Sequence, residues 1–189
     1  MDRASAYGAE GYWFEPSQAR IFFVLMDKIL DPTPSIIDRV LMGEALKQAQ
    51  IAFEKDEVPV GAVIALENKI IAKAYNQVEI LKDPTAHAEM IAITQAANTL
   101  SSKWLEKCVL YVTLEPCCMC AGALVLSRIK GIVFGAKDPK TGACGSVLNI
   151  ASHKQLNHKI VIRECLMEEE CGQLLTEFFK KKRKEGKGS

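Results

Sequence analysis

After Ser35, apolar side chains recur at Val40, Leu41, Ala45, Leu46, Ala49 and Phe53, a spacing that predicts a helix with one apolar stripe. The breaker D-P-T-P (31–34) precedes it, and Ser35 with Asp38 three positions on has the form of a capping box. Residues 58–66 and 70–75 are β-rich runs around the polar break E-N-K, which predicts a hairpin. Helical spacing returns over 85–100, at Met90, Ile91, Ile93, Thr94 and Ala97. The short apolar run 108–114 reads as a buried strand, 117–127 as a helix of small residues, 129–136 as a fourth strand and 160–164 as a fifth. Residues 138–151 form a Gly-rich loop, and 168–184 a closing helix with acids at its front and Lys/Arg at its back, matching the helix dipole. Helices alternating with strands after an opening hairpin predict an α/β fold: a mixed sheet covered on both faces.

At 189 residues the chain suits one domain with a sizeable core. Residues 36–184 carry the domain pattern, 1–35 read as an N-terminal extension whose role the pattern does not assign, and 185–189 as a flexible tail. The extension is either an added element or the result of a start upstream of the true one at Met26. Its apolar run I-F-F-V-L-M (21–26) is far below membrane-spanning length. Mixed acids and bases also separate the extension from signal and transit peptides, so no membrane attachment and a cytoplasmic location are expected. A net charge of +1 names no partner. Cysteines number seven, an odd count that argues against a disulfide framework and for reduced thiols.

The chemistry gathers at two places. Pro116-Cys117-x-x-Cys120 follows a strand and opens a helix, where two thiols three apart share a face and free N–H groups favour thiolates. Upstream, His87-Ala88-Glu89 lies in the first turn of another predicted helix. Two cysteines and one histidine leave a fourth position on zinc for water, the mark of a catalytic site, and Glu89 is placed as a proton shuttle beside it. H-x-E followed by P-C-x-x-C is the signature of zinc-dependent nucleobase deaminases. Alone, C-x-x-C equally fits a structural metal or a redox pair, and a purely structural zinc would need a fourth side chain; the free histidines, His153 and His158, lie in or just past the Gly-rich loop. Cys118 points off the face shared by Cys117 and Cys120 and is expected to be a buried thiol. Cys108, Cys165 and Cys171 read as small core residues, and Cys144 as a loop thiol without a visible partner.

Longer segments carry a resemblance: E-V-P-V-G-A-V (57–63), D-P-T-A-H-A-E (83–89), L-Y-V-T-L-E-P-C-C-M-C-A-G-A (110–123), F-G-A-K-D-P-K-T-G-A-C-G-S (134–146), N-H (157–158) and E-C-x-x-L-L-x-x-F-F (170–179). Over residues 36–183 the chain resembles the bacterial tRNA-specific adenosine deaminases (TadA family) of the cytidine deaminase superfamily. The resemblance implies a three-layer α/β/α cytidine-deaminase-like domain around a five-stranded mixed sheet, a homodimer with its active site near the interface, and conversion of adenosine to inosine at the wobble position of a tRNA, with tRNA-Arg expected. It implies one Zn²⁺ per subunit on His87, Cys117 and Cys120, with Glu89 as catalytic proton shuttle. Asn76 matches the residue that holds the flipped base, and Val58, Ala88 and Pro116 match the pocket wall. Asp138, Lys140, His153, Asn157, Phe178 and Phe179 match positions near the anticodon stem-loop. By local pattern alone Asn76 is a strand-end turn residue, and at least one of the two phenylalanines is expected in the core. The basic run 180–184 reads equally as a phosphate contact or a solvated helix end. The alternatives are a free nucleobase or nucleotide deaminase acting on guanine, cytosine or deoxycytidylate, and a non-catalytic tRNA-binding subunit; an intact Glu89 argues against the latter.

Overall fold

The computed structural model of the protein describes residues 34–185. The expectations for residues 1–33 of the extension and 186–189 of the tail lie outside the described residues. Ser35 caps helix α1 (Ile36–Glu54): its hydroxyl accepts from the Asp38 N–H at 3.1 Å, and the Asp38 carboxylate accepts from the Ser35 N–H at 2.9 Å. The buried stripe of α1 is Leu41, Met42, Ala45, Ala49 and Ala52. Val40, expected on that stripe, is 60% exposed; Met42 takes its place on the flank of Leu41 and Ala45 that meets the sheet.

Strands β1 (Gly61–Leu66) and β2 (Lys69–Tyr75) pair antiparallel. The turn between them holds Glu67 and Asn68 at φ 49° and 65°, the left-handed pair that a two-residue hairpin turn needs to match strand twist. Strands β3 (Cys108–Leu114), β4 (Gly131–Ala136) and β5 (Val161–Arg163) complete a sheet of order β2-β1-β3-β4-β5. β1 and β3 are antiparallel, whereas β3, β4 and β5 run parallel. Two helices follow β2, the short α2 (Val78–Leu81) and α3 (Ala88–Leu100); α4 (Cys118–Leu126) crosses from β3 to β4, and α5 (Glu168–Glu185) follows β5. No pattern in the sequence marked α2.

Alternation along each strand splits the core in two. Ala62, Ile64, Leu110, Val112, Ile132 and Phe134 face α3 and α4, meeting Ala88, Ala92 and Ala96 and, from α4, Ala121 and Leu124. Val63, Ala65, Tyr111 and Val133 face α1 and α5, meeting Leu41, Met42, Ala45 and Cys171. The result is a three-layer α/β/α domain on a five-stranded mixed sheet. Burial on both faces explains why the central strands read as continuous apolar runs rather than as alternation.

The close fit of α1 on the sheet depends on Gly61. A Cβ there would lie 2.0 Å from the Ala45 carbonyl oxygen and 2.4 Å from the Ala49 nitrogen, both backbone. Gly61→Ala is expected to destabilise by about 1–3 kcal/mol through overpacking, lowering Tm by roughly 2–4 °C per kcal/mol. An unchanged thermal midpoint would contradict this packing. Among the described residues, no helix is long and apolar enough to cross a membrane.

Candidate active site

Two helix starts meet at the N-terminal end of β1, the C-terminal end of β3 and the start of the connection after β2. Asp83 accepts from the Thr85 N–H and hydroxyl, each at 2.7 Å, closing a local turn around Pro84. That turn delays the helix expected from residue 85, so α3 begins at Ala88 with His87 as an extended N-cap. Cys117 likewise stands at the N-cap of α4, just past β3. The two cap side chains turn toward each other: His87 Nδ1 lies 3.8 Å from Cys117 Sγ and 3.5 Å from Cys120 Sγ. The three donor atoms all lie within 4.8 Å of one another, and among the described residues no fourth ligating side chain joins them.

This donor set fits a metal. Two soft sulfurs and an imidazole match zinc chemistry, and the oxygen ligands preferred by magnesium or calcium are missing from the cluster. Electrostatics agree. The Cys117 thiol is pushed down to about 4 by its hydrogen bond with Cys120, helped by His87. The same bond, together with burial, pushes Cys120 up. Both shifts come from the close approach of the two sulfurs, in the place where a dication would bind. The bond to Cys117 also raises His87 against the opposing effect of burial.

Beside the cluster lies a cavity of about 230 Å³, lined by His87, Glu89, Cys117, Asn76, Val58 and Val60. Glu89, in the first turn of α3, is 3% exposed, and burial raises its carboxyl above the ordinary range. Asn76 follows β2 and is held at both ends: its backbone N–H bonds the Val60 carbonyl at 3.0 Å, and its Nδ2 donates to Glu57 Oε2 at 3.1 Å. Asp138 also lines the cavity, its carboxylate accepting from the N–H groups of Lys140 and Thr141 and from the Thr141 hydroxyl.

Other expected residues fall elsewhere. Ala88 and Pro116 are buried but do not line the cavity: Ala88 packs in the α3 core, and the Pro116 carbonyl accepts from the Ala143 N–H at 2.8 Å. Lys140 and Phe179 line a separate open concavity with Lys182 and Arg183. His153 and Asn157 are exposed on the loop after the Gly-rich turn. The two phenylalanines part company. Phe178 is buried edge-on to Phe53 at 5.8 Å, while Phe179 is 48% exposed. In the basic run, Lys181 and Lys182 pair with Asp56 at the end of α1.

Two cysteines depart from expectation. Cys118, the first residue of α4, faces outward and is exposed rather than buried, and so is Cys165, which turns at φ 62° between β5 and α5. Cys108, Cys144 and Cys171 are buried.

Two buried carboxylates went unread in the sequence. Glu57 is fully buried beside Asn76. Glu115, 2% exposed, accepts from the N–H groups of Asp138, Cys144 and Ser146 and from the Ser146 hydroxyl, pinning the Gly-rich loop over the site. Burial works to raise its carboxyl, but these bonds outweigh it and hold it below the usual range. Contact is so close that a Cβ on Gly142 would lie 2.4 Å from Glu115 Oε2. The available signal at Glu115 was an acid set between Leu114 and Pro116 directly before the cysteines, since charged groups enter a core only when paired; Glu57, after Lys55 and Asp56, offered none. Glu115→Ala is expected to destabilise by about 1–3 kcal/mol for each donor left buried and unpaired. It should also speed tryptic cleavage at Lys137 and Lys140; a loop as resistant as the wild type's would refute the pinning role.

The family model for MafB19-like deaminases matches residues 38–183. The tRNA-specific adenosine deaminase of Aquifex aeolicus (strain VF5) is 58% identical over 139 residues, covering 74% of this chain and 91% of that protein. The tRNA-specific adenosine deaminase of Bacillus subtilis (strain 168) is 47% identical over 152 residues, covering 80% and 94%. A solved structure from work on A-to-I editing by tRNA:A34 deaminases at the wobble position of transfer RNA has a TM-score of 0.69 at 41% identity, covering 71% of this chain and 98% of that one. Guanine deaminase from Bacillus subtilis shares the fold less closely, with a TM-score of 0.51 at 28% identity over 72% of this chain and 90% of its own. With identity of this degree over nearly the whole length of those relatives, and with the His-Cys-Cys cluster beside a buried glutamate, the chain belongs to the family of tRNA-specific adenosine deaminases.

Proposed function

We propose that the protein hydrolyses adenosine to inosine at the wobble position of a tRNA anticodon, with tRNA-Arg as a substrate, releasing ammonia. The observation that carries this reading is the cluster of His87, Cys117 and Cys120 at the edge of a cavity that His87, Cys117 and buried Glu89 line, below drug-sized volume and suited to a single base. His87, Cys117 and Cys120 would hold one zinc ion per subunit. When bound there, zinc makes water acidic enough to serve as the nucleophile near neutral pH.

The remaining work falls to the chain's own side chains. Glu89 takes a proton from the attacking water and passes it to N1 of the base, which makes C6 electrophilic. Once the water oxygen has added at C6, Glu89 carries the second water proton to the amine. The C6–N bond then breaks, ammonia leaves and the carbonyl of inosine remains. Asn76 holds the base edge through its amide, and Val58 and Val60 supply apolar walls. The wobble base lies in a loop that is already single-stranded, so turning it out costs less than extraction from a duplex.

Exposed Lys140, His153, Asn157 and Phe179, with Asp138 at the cavity, are assigned to the anticodon stem-loop. Buried Phe178 serves packing instead. Lys181 and Lys182, paired with Asp56, are less free to meet phosphates than the rest of the basic run. The protein acts in the cytoplasm, as a homodimer; the outward side of α4, with Cys118 exposed and Leu126 81% exposed, is an apolar face that a second copy would cover. The test is incubation of the zinc-loaded protein with unmodified tRNA-Arg whose anticodon starts with A, followed by nuclease digestion and nucleoside analysis. Inosine at that position supports the reading, and its absence overturns it.

A further inference from the structure

Glu57 lies beside the cavity at 0% exposure, yet no proton transfer assigned above uses it. A buried carboxylate persists where donors satisfy it, and both of its oxygens are satisfied. Oε2 accepts from Asn76 Nδ2 at 3.1 Å, and Oε1 accepts from the Ile80 N–H at 2.7 Å. The loop that carries Glu57 is itself held. The Glu57 N–H bonds the Ala52 carbonyl at 2.9 Å, and neighbouring Asp56 is paired by Lys181 and Lys182 from the end of α5.

This arrangement is selective about orientation. A carboxylate only accepts, whereas an amide has a donor end and an acceptor end related by a half-turn. Glu57 therefore admits the Asn76 amide only with its NH₂ toward Oε2. The Asn76 carbonyl and the second amide hydrogen are left to the cavity that Asn76 lines. The Ile80 bond on the other oxygen keeps Glu57 from turning away.

We infer that Glu57 is a positioning residue that locks the Asn76 amide in one orientation and thereby sets which base edge the cavity accepts. The inference rests on the reading of Asn76 as the residue that holds the base. A fixed amide asks the base for one acceptor and one donor side by side, a pattern that the N7 and N6 amine edge of adenine carries and that the N7 and O6 edge of guanine lacks. Glu57→Gln keeps the side-chain volume but introduces a donor end. The backbone Ile80 N–H cannot turn, so the Gln oxygen keeps that bond and its NH₂ faces Asn76, turning the amide over.

Two readouts test this. In side-chain amide NMR of the full-length protein, the Asn76 NH₂ pair, identified by its loss in Asn76→Ala, should show one downfield, slowly exchanging proton. That signature should vanish in Glu57→Gln and survive in Glu57→Asp, which keeps the acceptor. With the zinc-loaded enzyme and an anticodon stem-loop, Glu57→Gln should raise KM about tenfold, as expected from mispairing one buried polar contact. The change in kcat should stay within about threefold, and in an Asn76→Ala background the added effect on KM should fall below about twofold. An Asn76 signal unchanged by Glu57→Gln, or equal KM effects in the two backgrounds, would overturn the inference. Should Glu57→Gln not fold, Glu57→Asp decides: a retained amide signature with a smaller KM rise supports it, and a lost signature refutes it. A wild type that makes no inosine refutes the deaminase reading instead, while the NMR arm still decides the orientation.

Discussion

Glu89→Ala lowers inosine formation by about four orders of magnitude in kcat/KM while leaving zinc bound, the expected size for a group that acts in two proton transfers when one general acid–base step contributes about 10²–10⁴-fold. The structure gives this substitution a narrow effect. Glu89 is 3% exposed, lines the cavity with His87 and Cys117, and lies outside the group of three donor atoms that share a 4.8 Å cluster. Its removal should thus spare the His-Cys-Cys site. Steady-state kinetics on a stem-loop, with metal content measured on the same preparation, decides the matter. Residual activity within about tenfold of wild type would remove Glu89 from the proton path. Loss of zinc with the activity would make Glu89 a ligand and the three-donor reading wrong.

Cys120→Ser should empty the metal site, whereas Cys118→Ser should leave it full. Cys120 is fully buried and 3.5 Å from His87 Nδ1, while Cys118 is exposed on the outer side of the same helix turn. Serine keeps the shape of cysteine but offers a neutral hydroxyl where zinc needs a thiolate. Zinc per subunit should fall from one to about a tenth or less, activity should fall with it, and Tm should drop because bound metal stabilises only the folded state. The exposed Cys118→Ser should stay within about ±0.5 kcal/mol of wild type in stability. Metal retained in Cys120→Ser and lost in Cys118→Ser would reverse the ligand assignment.

Local signals made much of this molecule readable in advance. Capping residues Ser35 and Asp38, the polar turn at Glu67 and Asn68, and Pro116 ahead of two cysteines each act over a few residues, so their structural outcome sits where the pattern does. The metal cluster was legible for a related reason: each half lies at a helix start, and only their meeting needs the fold. What escaped depends on contacts across the chain. Glu57 finds Asn76 and Ile80, and Glu115 finds Asp138, Cys144 and Ser146, all from distant turns that no periodicity links. Val40 and Cys118 were misplaced because one step along a helix turns a side chain by about 100°, enough to move it from the core to solvent. The helix start at Ala88 slipped because Asp83 and Thr85 satisfy each other in a turn that competes with helix.

The most direct test of the central claim is a side-by-side assay of the zinc-loaded protein on an anticodon stem-loop with adenosine at the wobble position and on free adenosine, cytidine and guanine, with Glu89→Ala as control. Inosine in the stem-loop alone, lost in the control, is the predicted result. Turnover of guanine or another free compound with a silent stem-loop would contradict the account and place the protein among the small-molecule deaminases.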